Sequence, residues 1–85
     1  MSLNDARKLL EETEAFLDRY RTFGKIVTDA LKQLATLRDL IEKGANSEAY
    51  HLSCSLCEQV ENYKSFVPEL ADKLEKIRYI LKCNC

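Results

Sequence analysis

Two glycines and one proline in 85 residues leave this chain few places to turn, and their positions constrain the fold more than any other feature. Gly24 and Pro68 each stand twenty-two residues from Asn46, and Lys43-Gly44-Ala45-Asn46-Ser47 is the clearest turn in the sequence. An all-β fold needs turn signals every ~8–12 residues, which this chain lacks. A few long helices are expected instead.

The apolar residues keep helical spacing between these breaks. Leu3, Ala6, Leu10, Leu17 and Tyr20 recur at steps of three and four, flanked by Leu9, Phe16 and Phe23. After Gly24 the pattern resumes with Val27, Ala30, Leu31, Leu34, Leu37, Leu40 and Ile41. In the second half, Leu52, Leu56, Val60, Tyr63 and Val67 form one stripe, and Leu70, Leu74, Ile77 and Leu81 form another. Ser2 and Asp5 have the spacing of a capping box. Gly44 suits a C-terminal cap, Asn46 or Ser47 the N-cap that follows, and Ser65 the N-cap of the last helix.

Two all-α architectures fit this symmetry. If the breaks are turns, four short helices form a small up-down antiparallel bundle, a single helical domain over residues 1–85. If they are kinks, two long helices form a hairpin that dimerises. Pro68, which disfavours helical backbone at the residue before it, favours the four-helix bundle.

Composition narrows the function classes. The chain is 46% hydrophobic and 32% charged, with thirteen basic and fourteen acidic residues for a net charge of -1. It is too apolar for disorder, and it lacks the basic excess of a nucleic-acid binder. No apolar stretch approaches the ~18 residues of a membrane span, and charge comes too early for a signal peptide. A cytoplasmic location, with thiols reduced, is the resulting expectation.

The residues able to carry chemistry alone are four cysteines in two tight pairs, Cys54-Ser55-Leu56-Cys57 and Cys83-Asn84-Cys85. At ~100° per residue, Cys57 falls on the flank of the stripe through Leu52, Leu56 and Val60, and Cys54 nearly opposite it. Cys83 and Tyr79 also point away from the stripe of the last helix. The thiols are therefore expected as free surface or contact groups. Their other reading is a tetrahedral zinc site made by Cys54, Cys57, Cys83 and Cys85. Such a set would also accept Cu(I). It requires the tail to fold back. Disulfides need an oxidising compartment, and a redox role is disfavoured by Glu58 and Glu61 beside a pair placed deep in a helix. The last three residues resemble the doubly prenylated ends of Rab-type small GTPases, yet no phosphate-binding glycine loop accompanies them.

His51 is the only histidine, so no histidine pair exists, and it reads as a solvated helix residue. The carboxylates Glu11, Glu12, Glu14 and Asp18 read as a solvated face. No nucleophilic triad or phosphate loop can be picked out, so an enzyme is not expected. The expected function is a helical interaction module, acting on a protein partner or on a second copy, with Tyr50, Cys54 and Cys57 as the contact strip. A small zinc-binding protein is the alternative.

Overall fold

The first helix begins on its own cap. The Ser2 N–H donates to the Asp5 carboxylate at 3.0 Å, and the Asp5 N–H donates to the Ser2 carbonyl oxygen at 3.0 Å. Donors that helical geometry leaves unpaired in the first turn are thereby satisfied. A computed structural model of the chain describes residues 2–63, 65 and 67–84, with Phe23 described at the backbone only. Along it run α1 (Leu3–Asp18), a 3-10 turn (Arg21–Phe23), α2 (Lys25–Glu42), α3 (Asn46–Glu61) and α4 (Pro68–Cys83). Among the described residues there is no strand.

Both glycines lie where the backbone requires them. Gly24, φ +100° and ψ −155°, separates the 3-10 turn from α2, in a region that side chains strain to enter. Gly44, φ +79°, ends α2 in a Schellman motif. Its N–H donates to the Ile41 carbonyl oxygen at 3.1 Å, and the Ala45 N–H donates to that of Leu40 at 2.9 Å. Pro68 opens α4 at its first position, where the missing N–H costs nothing.

Each helix packs against two others in a closed ring: α1 on α2, α2 on α3, α3 on α4, and α4 back on α1. Cross-links show that neighbours run antiparallel. Arg7 near the start of α1 pairs with Glu42 at the end of α2 at 3.3 Å. The Asn46 amide at the start of α3 donates to the Asn84 carbonyl just beyond α4 at 3.2 Å. Lys73 of α4 pairs with Glu12 of α1 at 3.4 Å. The four-helix up-down bundle is thus the observed fold, and Gly24 and Pro68 mark breaks between helices.

Leu10, Leu34, Leu37, Leu56, Leu74, Ile77, Ile80 and Leu81 are fully buried, each worth ~1.5–3 kcal/mol of transfer free energy. Thr13 and Ser53 are buried with them. Their hydroxyls donate to the Leu9 and Tyr50 carbonyl oxygens, each at 2.6 Å, so neither carries an unmet donor into the core. Glu14 of α1 and Arg38 of α2 add a partly buried ion pair at 3.1 Å.

Several expectations need correction. Neither Asn46, Ser47 nor Ser65 caps a helix: Ala45 and Val67 hold those positions, without a side-chain hydrogen bond. Asn46 instead uses its side chain to reach Asn84. Helix α3 stops at Glu61, so Tyr63 and Val67 belong to the connection. The core face of α3 is Ala49, Ser53, Leu56 and Val60, with Leu52 half-buried. Two small residues, Ala49 and Ser53, thus turn inward on this helix, as close approach between helices favours.

Candidate functional site

That rotation of α3 changes where its thiols lie. Cys54 and Cys57 are both half-buried and reduced. They share a cleft of about 370 Å³ between α3 and α4, walled by Glu58 and Glu61 on one side and Ala71, Glu75 and Arg78 on the other. Burial pushes the Cys57 thiol above its ordinary pKa, opposed by the nearby Arg78 charge and reinforced by Glu75 and Cys54. The thiol is therefore protonated at neutral pH and a poor nucleophile.

Cys83 is exposed in the last turn of α4. The Asn46–Asn84 hydrogen bond sets it level with the first residues of α3. At 1.5 Å per residue, Cys54 lies roughly 10 Å further along the bundle. A turn centred near Val67 would bring Cys83 about one turn closer, but the connection is shifted by the early end of α3. Cys85 lies outside the described residues. Among the described residues, no three His, Cys, Asp or Glu side chains converge to hold a metal.

Of the expected contact strip, Tyr50 and Cys57 pack against the core, and Cys54 lines the cleft. The ring of exposed His51 lies 5.8 Å from that of Tyr50. Tyr79 is 61% exposed, on the outer face of α4 as its phase predicts.

The larger apolar surface is elsewhere, at the end of the bundle where α1 and α3 finish and α2 and α4 begin. There the described side chains enclose an open hollow of about 470 Å³. Leu17, Val60 and Leu70 form its base. Tyr20, Val27 and Val67 form half-buried walls. Ile26, 60% exposed, and Tyr63, 40% exposed, stand at its mouth. The hollow lies beside the two links of this end, between Asp18 and Lys25 and between Glu61 and Pro68.

A second, more polar hollow of about 340 Å³ lies on the α2–α3 face, with Asp29, Gln33, Gln59 and Asn62 on its walls. Ile26, Ala30, Val60 and Tyr63 border both hollows. Of these, Ile26 and Tyr63 are the exposed ones and stand between the two depressions, while Val60 is buried beneath them. The sequence showed Ala30, Val60 and Tyr63 as stripe members and left Ile26 off the stripe; the signal for a site was the pair of large apolar side chains, Ile26 and Tyr63, next to chain breaks.

The Asp5 carboxyl is held below its ordinary value, chiefly by the Ser2 backbone hydrogen bond. It belongs to a helix cap. No helix among the described residues is long and apolar enough to cross a membrane. In comparisons with known proteins, the chain matches no family model, no curated protein and no solved structure.

Proposed function

We propose that this chain is a non-enzymatic helical module that works by self-association, two copies packing through the open end of the bundle. The observation that carries the reading is the exposed pair Ile26 and Tyr63, a short apolar ridge with a hollow on either side. A ridge beside a hollow on one surface is self-complementary: under a two-fold axis, the ridge of each copy enters the hollow of the other. Large exposed apolar side chains grouped at such a feature mark contact surfaces.

Charge favours the same arrangement. A net charge of -1 leaves little repulsion between copies. Lys25 and Asp29 lie close to Ile26 in α2, so charges of both signs border the surface. Tyr63 adds an aromatic anchor whose hydroxyl stays wet, the side-chain type enriched at interfaces.

Sedimentation equilibrium between about 1 μM and 1 mM checks this. The expected result is a monomer–dimer equilibrium that Ile26→Asp weakens at least tenfold while leaving unchanged the melting temperature measured at dilutions where both proteins are monomeric. A wild-type chain that stays monomeric at the highest concentration overturns self-association. If such a monomer instead takes up an added amphipathic helix, with Ile26 and Tyr63 resonances shifting, the surface serves a helical partner.

A further inference from the structure

The cleft between α3 and α4 holds two thiols for which the proposed contact function has no use. We propose that Cys54 and Cys57 form a two-thiolate site for a soft monovalent d¹⁰ cation, copper(I), held within one chain.

Geometry and donor chemistry carry this. Residues three apart on a helix place their Cβ atoms about 5–6 Å apart, and both thiols line the same cleft. Metal–thiolate bonds of about 2.3 Å set two sulfurs in line about 4.6 Å apart, close to the Cβ spacing of such a pair. A disulfide is harder to form, because it needs Cβ atoms within about 3.5–4.5 Å. The intact helix therefore keeps the pair reduced and available.

The shortage of further donors selects the ion. Structural zinc takes four ligands, and among the described residues no third donor converges on the pair. Soft thiolates favour copper(I), for which two in line complete the coordination. Binding is a ligand exchange without electron transfer. Each thiol loses its proton to solvent, two S–Cu bonds form, and the bound complex carries one negative charge. Arg78 stands on the opposite wall. Glu58, Glu61 and Glu75 give the mouth a negative lining that attracts a cation.

The test uses the full chain under anaerobic conditions, titrated with copper(I) against a chromogenic chelator. In a Cys83→Ser, Cys85→Ser background, one copper per chain is expected, with a near-ultraviolet thiolate-to-copper charge-transfer band. Adding Cys54→Ser or Cys57→Ser should remove the band and weaken binding at least 100-fold, while circular dichroism stays unchanged. Phenylarsine oxide, which bridges two neighbouring thiols, should bind the same background one-to-one and should fail with either further serine. Should a serine variant unfold, the background protein still decides by its own stoichiometry. No copper there, or copper bound only by bridging two chains, overturns the proposal. Retention of the site in the wild-type chain after Cys54→Ser, Cys57→Ser overturns it equally, because the tail pair would then be the ligand.

Discussion

The two ends of this bundle are built differently. At one, a three-residue link, Lys43–Ala45, closes in a Schellman motif. There Arg7 pairs with Glu42, Asn46 reaches the Asn84 carbonyl, and Asp5 caps α1. At the other end, both links are twice as long, and α2 and α4, like α3 at the first end, start without a side-chain cap hydrogen bond. Ile26 and Tyr63 remain exposed there over an apolar hollow. The same four helices thus have one end finished by local hydrogen bonds and another left with surface to bury. In a domain whose total stability is small, the finished end anchors the fold, and the other end is the one proposed to bind.

The largest effect should come from truncating the core at each end of a single helix. Leu81 is fully buried in the last turn of α4, at the finished end, and Leu70 is 4% exposed in its first turn, at the base of the hollow. Leu81→Ala should cost about 3–5 kcal/mol, because a closed cavity is left behind. Leu70→Ala should cost nearer 2 kcal/mol, because one side of that leucine already lacks packing partners. Urea melts at matched concentration measure both. Equal losses would show that the hollow is closed in solution and that the contrast between the ends fails.

The glycines permit a second comparison. A Cβ at Gly24 or Gly44 would meet nothing within 4 Å, so substitution costs only backbone strain. Gly24→Ala should cost about 1–3 kcal/mol, since its conformation is nearly reserved for glycine. Gly44→Ala should cost about 1 kcal/mol, and Gly44→Asn less, because asparagine tolerates the left-handed region. A neutral Gly24→Ala in thermal melts would mean that the link at the open end is not held in this conformation.

Much of the fold could be read directly, and specific residues show why the rest could not. The spacing of Leu34, Leu37 and Ile41, or of Leu70, Leu74, Ile77 and Leu81, reports a buried face because large apolar side chains have only one stable place. Gly44 reports its turn for a backbone reason. Ala49 and Ser53 carry no such signal. They face the core, as close approach between helices favours, and Leu52 yields to them; this rotated α3 and brought Cys54 and Cys57 to a cleft. Ser47 and Ser65 have the chemistry of caps, but the Schellman turn and Pro68 had already set where α3 and α4 begin. The hollow was invisible for a further reason. It lies where the ends of four helices meet, which no single stripe records.

The smallest effect tests the cap at the finished end. The Asp5 carboxyl has its pKa lowered on folding, first by the Ser2 N–H hydrogen bond, with a smaller contribution from Lys8. Because the folded value lies below the unfolded one, the cap stabilises the chain above the ordinary carboxylate range. That contribution disappears as pH falls through the folded value. Asp5 is fully exposed, so solvent keeps the effect small. An NMR titration of the Asp5 carboxyl carbon should give a midpoint below the model carboxylate. Asp5→Asn should remove the corresponding part of the acid-side fall in melting temperature and leave association through the far end unchanged. A titration at the ordinary value would show that the Ser2–Asp5 bond does not persist in solution, and α1 would then begin as loosely as α2 and α4 do at the open end.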